Sequence, residues 1–280
     1  TSTTFAVGTN GGSTNSSGTT YVAYIFAHDT SAGGIIQCGS FTTDASGNAT
    51  VNLGWEPQFL ITKRMDSAVG NPAWYMFDSM RGWTAASADS TLQANASGVE
   101  DSASNFGSPT ATGFTIQNMG SSAVTVYLAI RRPNKPPTVG TQVYNAIART
   151  GPGASATVTG VGGAPDLVMN KHRDAANAQF TWDRMRGSAK HLVTSSTAAE
   201  SAFDIGLDVM DGFRLIGAGT GLNAPSESHI NHFFRRAPGF FDEVCYAGVG
   251  SSTAFPHNLG VQAELVLVKN RIGITNWKLW

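Results

Sequence analysis

Two sets of charged residues stand where acid–base chemistry could be done. The first is Lys63, Arg64, Asp66, Asp78 and Arg81; the second is Lys171, Arg173, Asp174, Asp183 and Arg186. Each combines carboxylates, which could trade protons or accept sugar hydroxyls, with guanidinium groups shaped to fork onto a carboxylate. The sets are offset copies of each other. Lys63 and Lys171 lie 171 − 63 = 108 residues apart, and the tracts Asp78-Ser-Met-Arg-Gly82 and Asp183-Arg-Met-Arg-Gly187 lie 183 − 78 = 105 apart. A chemical centre has no need to be present in every copy of a packing module. The sets therefore read as structural ion-pair clusters that pin a long loop to a sheet, and no catalytic residue or enzyme activity is expected.

The remaining chemistry-bearing residues are few. Trp74, Trp182, Trp277, Trp280, Phe114 and Phe213 recur in register and are expected in cores. Trp83 does not recur, since its partner position is Ser188. A Trp unmatched in a polar loop is the candidate ligand contact, because aromatic faces stack on sugar rings. His191, His229 and His232 raise the question of a metal. His229 and His232 are three apart, which puts them on opposite faces of a strand and makes joint ligation poor. No metal site and no cofactor are expected. The chain has no nucleotide-binding glycine pattern, nucleophile elbow, zinc-protease motif or paired-cysteine metal motif.

The elements that must position these residues repeat as well. A hydrophobic strand ending in a cationic pair occurs at Pro57–Arg64, again at Pro165–Arg173, and a third time at Gln262–Arg271. The second spacing, Lys171 to Lys269, is 269 − 171 = 98 residues. A period near 100 is that of a whole small domain, not of a solenoid repeat. Two closings, Gly113–Arg132 and Gly212–Arg236, run from a Gly-Phe strand through a turn to a β-prone strand and a basic exit; Tyr21–Ala27 resembles their last strand.

The expected organisation is the C-terminal part of an incomplete repeat at 1–30, full repeats at 35–132 and 138–237, and the N-terminal part of an incomplete third at 239–280. The chain is accordingly expected to be a piece of a longer polypeptide. Residues 133–137, with three prolines, form the linker. Each full unit offers six to eight short alternating strands and Gly-rich turns. The loop after Trp83 should carry one short strand or helical turn at 90–95, and a strand is predicted at 190–193. The fold class is all-β: tandem antiparallel β-sandwiches, jelly-roll or lectin-like, of about 100 residues each.

Composition agrees with this and excludes several functions. Charged residues make up only 13%, and there are 32 glycines, which suits close-packed β-structure with long turns. A net charge of −1 leaves no electrostatic footprint for nucleic acid. No run of about 18 apolar residues exists, so no membrane insertion is expected. The two cysteines, Cys38 and Cys245, sit at matching places in separate repeats and are expected to be free, buried thiols.

Read together, the tracts are similar to the tandem-repeat β-domains of large virion proteins of tailed bacteriophages, of the marine and cyanobacterial phage type. The residues that carry the resemblance are Cys245-Tyr-Ala-Gly-Val-Gly250, Phe255-Pro-His-Asn-Leu-Gly260, Val266-Leu-Val-Lys-Asn-Arg271, the Asp-x-Met-Arg-Gly tracts and Tyr21-Val-Ala-Tyr-Ile-Phe-Ala27. The second unit departs from the pattern, with His172 in place of Asn and with His229 and His232 in its closing strand. The resemblance implies a virion structural protein, a tail fibre or other host-facing appendage contributing to host attachment. It also implies location in the extracellular phage particle after assembly in the host cytoplasm, and it supplies no catalytic residue. Implied partners are other virion proteins, further copies of the chain, and a host-surface glycan or protein. Two alternatives remain open: a purely architectural decoration, collar or tail component, and a carbohydrate-binding module of an enzyme.

Overall fold

A computed structural model describes residues 3–9, 14–65, 73–85, 89–203, 205–217 and 221–280. Its only helical element among these is a 3-10 turn at Gly140–Gln142. The first repeat contains β1 (Ile36–Thr42), β2 (Ala49–Asn52), β3 (Pro57–Arg64), β4 (Trp74–Asp78), β5 (Leu92–Gln93), β6 (Gly107–Thr110), β7 (Gly113–Ile116) and β8 (Val124–Arg131). The second contains β9 (Tyr144–Thr150), β10 (Ala156–Val158), β11 (Leu167–His172), β12 (Gln179–Asp183), β13 (Lys190–Val193), β14 (Ser201–Ala202), β15 (Ile205–Gly206), β16 (Phe213–Leu215) and β17 (Ser228–Phe234). A short hairpin, β18 (Leu267–Val268) and β19 (Lys278–Leu279), follows.

The two repeats have one topology. The larger sheets run β1-β8-β3-β4-β5 and β9-β17-β11-β12-β13-β14; the smaller run β2-β7-β6 and β10-β16-β15. All pairings are antiparallel, and the first strand pairs with the last in jelly-roll fashion. Register is conserved residue for residue. Lys63 faces Trp74 and Val126, while Lys171 faces Gln179 and Ile230. The short strand at 92–93 and the strand at 190–193 stand where the sequence predicts them. The last hairpin keeps the same frame: Leu267 pairs with Leu279, which the 98-residue shift maps onto the pair Met169 and Thr181.

The alternation in β3 and β11 sends every second residue inward, because successive strand side chains point to opposite faces. Leu60 and Val168 reach the cores between the sheets, with Phe77, Trp83 and Phe114 in one and Trp182, Phe213 and Phe233 in the other. Gly113 and Gly212 open the Gly-Phe tracts for a steric reason. A Cβ on either would lie 1.9 Å from the carbonyl oxygen of Val51 or 1.8 Å from that of Val158. Only glycine lets the neighbouring strand come that close.

The expectation that all recurring aromatics are core needs correction at three positions. Trp74 is 43% exposed because the register aligns it with Gln179, and Phe77 is the true counterpart of Trp182. Trp280 is 77% exposed, and Trp277 is half-buried. The two cysteines are free but only half-buried.

Parts of the segments outside the two sandwiches touch their edges. Asp29 N–H bonds the Ile36 carbonyl and the Cys38 N–H donates to His28 Nδ1, so residues 28–29 flank β1. At the other end, Glu200 N–H donates to the Arg271 carbonyl and Trp277 Nε1 to the Val193 carbonyl, so residues 269–277 lie along the β13–β14 edge.

Candidate functional site

The charged clusters expected from sequence are not single clusters. Asp78 lies opposite Phe59 and Lys63 opposite Trp74, four residues and roughly 13 Å along the strand. Asp183 and Lys171 are separated in the same way, opposite Leu167 and Gln179. Each set therefore splits between the two ends of a sheet.

At one end, Asp78 Oδ1 accepts the N–H groups of Met80 and Arg81, and its Oδ2 takes Arg81 Nε at 2.5 Å. Arg81 then reaches the Met76 carbonyl at 3.0 Å and Glu100 at 2.9 Å. Asp183, Arg186, the Thr181 carbonyl and Glu200 repeat this clamp. Glu100 and Glu200 are the carboxylates that complete the clamps, and the expected sets omitted both. Arg271 adds a bidentate grip on Glu200 at 2.9 and 3.1 Å. Burial opposes the charge of Glu200, yet hydrogen bonds from Arg271 and the charges of Arg271 and Arg186 hold its carboxyl below the usual range. Each guanidinium nitrogen of Arg81 and Arg186 has a fixed partner, so these are clamps that fold the long loop back onto the sheet.

At the other end, Lys171 Nζ donates to the Asn177 carbonyl, and the Arg173 side chain is exposed. Lys63 is half-buried, while Arg64 turns inward, 2% exposed, against the backbone of Gly120. Asp66 lies outside the described residues.

Trp83 is not a ligand contact. It is 1% exposed, its ring lies 5.6 Å from Phe77, and its Nε1 donates to the Gly107 carbonyl at 3.1 Å. The second sandwich fills the same volume differently. It has Ser188 in that place but carries Trp182 where the first has Phe77, and the Trp182 Nε1 donates to the Phe203 carbonyl. The indole has moved from loop to strand, and a volume argument across repeats would have placed Trp83 in the core.

The basic exits form the joint between the sandwiches. Arg236 Nη1 and Nη2 fork onto Glu56 of the first unit, and its Nε donates to Asp242 at 2.8 Å. Arg132 Nη1 donates to the Arg236 carbonyl, and Arg184 Nη1 reaches the Ser79 carbonyl of the first unit at 3.1 Å. A backbone bond from Ala85 to Met185 crosses the same boundary. Burial works against the Arg236 charge, but Glu56 outweighs it and holds the guanidinium well above its ordinary value.

The second sandwich carries a further polar group on its inner face. Arg149, His229 and His172 lie side by side on β9, β17 and β11. Asn231 and Asn170 form the next row, joined at 2.8 Å. His172 Nε2 is 2.7 Å from Glu227 Oε2, and its Nδ1 is 3.0 Å from Asp174 Oδ1. His229 Nε2 is 3.9 Å from the same Glu227 oxygen. The imidazole rings meet edge to face at 4.8 Å.

His229 is 0% exposed, and neither of its ring nitrogens has a hydrogen-bond partner. Leaving such a group unsatisfied costs about 1–3 kcal/mol. Burial, then the charges of Arg149 and His172, push the His229 pKa down to about 4, so the ring is neutral at pH 7 with a free lone pair. Two imidazoles and a carboxylate, with ligand atoms all within 4.8 Å of one another, are a donor set suited to a divalent transition-metal ion. The expectation of no metal site considered His229 with His232. Those two do face opposite ways, and His232 bonds Tyr144 instead. The partner that sequence reasoning overlooked is His172, on the adjacent strand.

The chain belongs to a family described as a domain of unknown function, DUF7483, which matches residues 1–126 and 140–280. The gap between the matched stretches falls at the end of β8 and the proline-rich linker. No curated protein and no solved structure matches the chain.

Proposed function

We propose that this DUF7483 protein is a structural component of a tailed-bacteriophage virion, a segment of a tail fibre or other host-facing appendage. The observation that carries the reading is the buried joint. Glu56, Arg236, Asp242 and Arg132 tie one sandwich to the next through a buried ionic network. A freely jointed pair of binding modules has no use for a buried ionic joint, whereas an appendage that transmits force or holds its tip at a set distance does. The sequence resemblance supplies the phage context. Host attachment would arise from weak contacts multiplied over many copies.

The burial of Trp83 favours a second reading in the same virion. The aromatic candidate for a glycan contact is spent on the core, so the sandwiches serve as architectural links and recognition lies elsewhere in the particle. Both readings are tested by raising antibodies against the chain. Labelling of the tail appendage of intact particles, with blocked adsorption, supports the attachment role. Labelling of the particle with normal adsorption supports the architectural one. Absence of the chain from purified virions would defeat both.

A further inference from the structure

We propose that the second sandwich binds one divalent transition-metal ion, zinc(II) foremost, through His172, His229 and Glu227. The geometry supplies the donors. His172 Nε2 and His229 Nε2 both approach Glu227 Oε2, at 2.7 and 3.9 Å. His229 is wholly buried, with no hydrogen-bond partner for either nitrogen, and it points into this cluster. A buried imidazole with both nitrogens unpartnered calls for an explanation, and a bound ion supplies one.

The arrangement around the donors is that of a metal site. Asp174 Oδ1 lies 3.0 Å from His172 Nδ1, on the opposite side of the ring from Glu227, and adds a second carboxylate to the surroundings of the site. Glu227 and Asp174 bring two negative charges to meet the two positive charges of the ion. Arg149, paired with His229, turns its Nη2 to the Leu222 carbonyl at 2.5 Å.

The first sandwich shows what this place needs. The pair equivalent to His172 and His229 is Arg64 and Thr125, in the same register. Arg64 is 2% exposed there, and a Cβ on Gly120 would lie 2.1 Å from its Nη1. One repeat thus fills this end of the sandwich with a covalently attached cation. The other has two imidazoles in that pair, a carboxylate at Glu227 in place of Ala123, and its own cation one strand over, Arg149 in place of Phe41. This inference does not depend on the virion reading.

The test uses the full chain, stripped of metal with a chelator and titrated with zinc(II) by calorimetry. One ion per chain is expected, with a rise in the melting temperature. His229→Gln and Glu227→Gln should each weaken binding at least tenfold, and Asp174→Asn about tenfold through the outer sphere. His191→Gln, on another strand, should leave binding unchanged. Cobalt(II) bound to the unaltered chain should show the visible bands of a four-coordinate nitrogen–oxygen site, which keeps the proposal testable if a variant fails to fold. Stoichiometry near zero in the unaltered chain, or binding undiminished in His229→Gln, overturns it.

Discussion

Arg236, at the exit of the second sandwich, forks onto Glu56 of the first across 180 residues of sequence. Both side chains are almost wholly buried, 1% and 6% exposed. Removing one partner of such a pair strands the other charge away from water, at a cost of about 3–5 kcal/mol. Glu56→Ala is therefore expected to lower unfolding stability by about that much. It should also loosen the joint, seen as a larger radius of gyration in solution scattering and as separate unfolding transitions for the two sandwiches. A single unchanged transition would show that the joint does not couple them.

Trp83 should behave as a core residue. Trp83→Ala is expected to destabilise the first sandwich by about 3–5 kcal/mol in denaturant unfolding, through the cavity it leaves. Glycan binding, measured on any array, should not be altered by Trp83→Phe. A surface-like loss below about 0.5 kcal/mol would contradict its burial.

The two clamps differ in depth although their geometry matches. Arg81 is 23% exposed and Arg186 only 5%, with Glu200 shared by Arg271. Water screens the shallower pair. Arg186→Ala should therefore cost about 1 kcal/mol or more beyond Arg81→Ala, measured as the difference in denaturation midpoints at equal slopes.

Asp89 gives the first sandwich a pH dependence. It is 0% exposed and accepts the N–H groups of Phe106 and Gly107 at 3.1 and 3.0 Å. Burial raises its pKa to about 6 despite those bonds. The folded chain thus holds this proton more tightly than the unfolded chain does. The resulting stability is fully present below about pH 4 and is lost as pH rises to about 6, a change of at most about 3 kcal/mol. Asp89→Asn should flatten the stability profile between those values. An unchanged profile would place the titration elsewhere.

The sequence alone determined the repeat, its period and its all-β character, because strand alternation and turn glycines are local signals that survive in any context. It also showed that Asp78 and Arg81 belong with Asp183 and Arg186, since residues three apart at the end of a strand meet without help from the rest of the chain. What touches what across the sheets came only from tertiary structure. Lys63 and Asp78 share a hairpin but sit at its opposite ends, which depends on register. Trp83 is buried because Phe77 leaves a volume that Trp182 fills in the other repeat. His172 meets His229 because β17 inserts between β9 and β11, joining residues 57 positions apart (229 − 172 = 57) in a way no spacing along one strand can announce. Glu56 finds Arg236 by the same logic one level higher, where the packing of whole sandwiches decides which charges are taken out of water together.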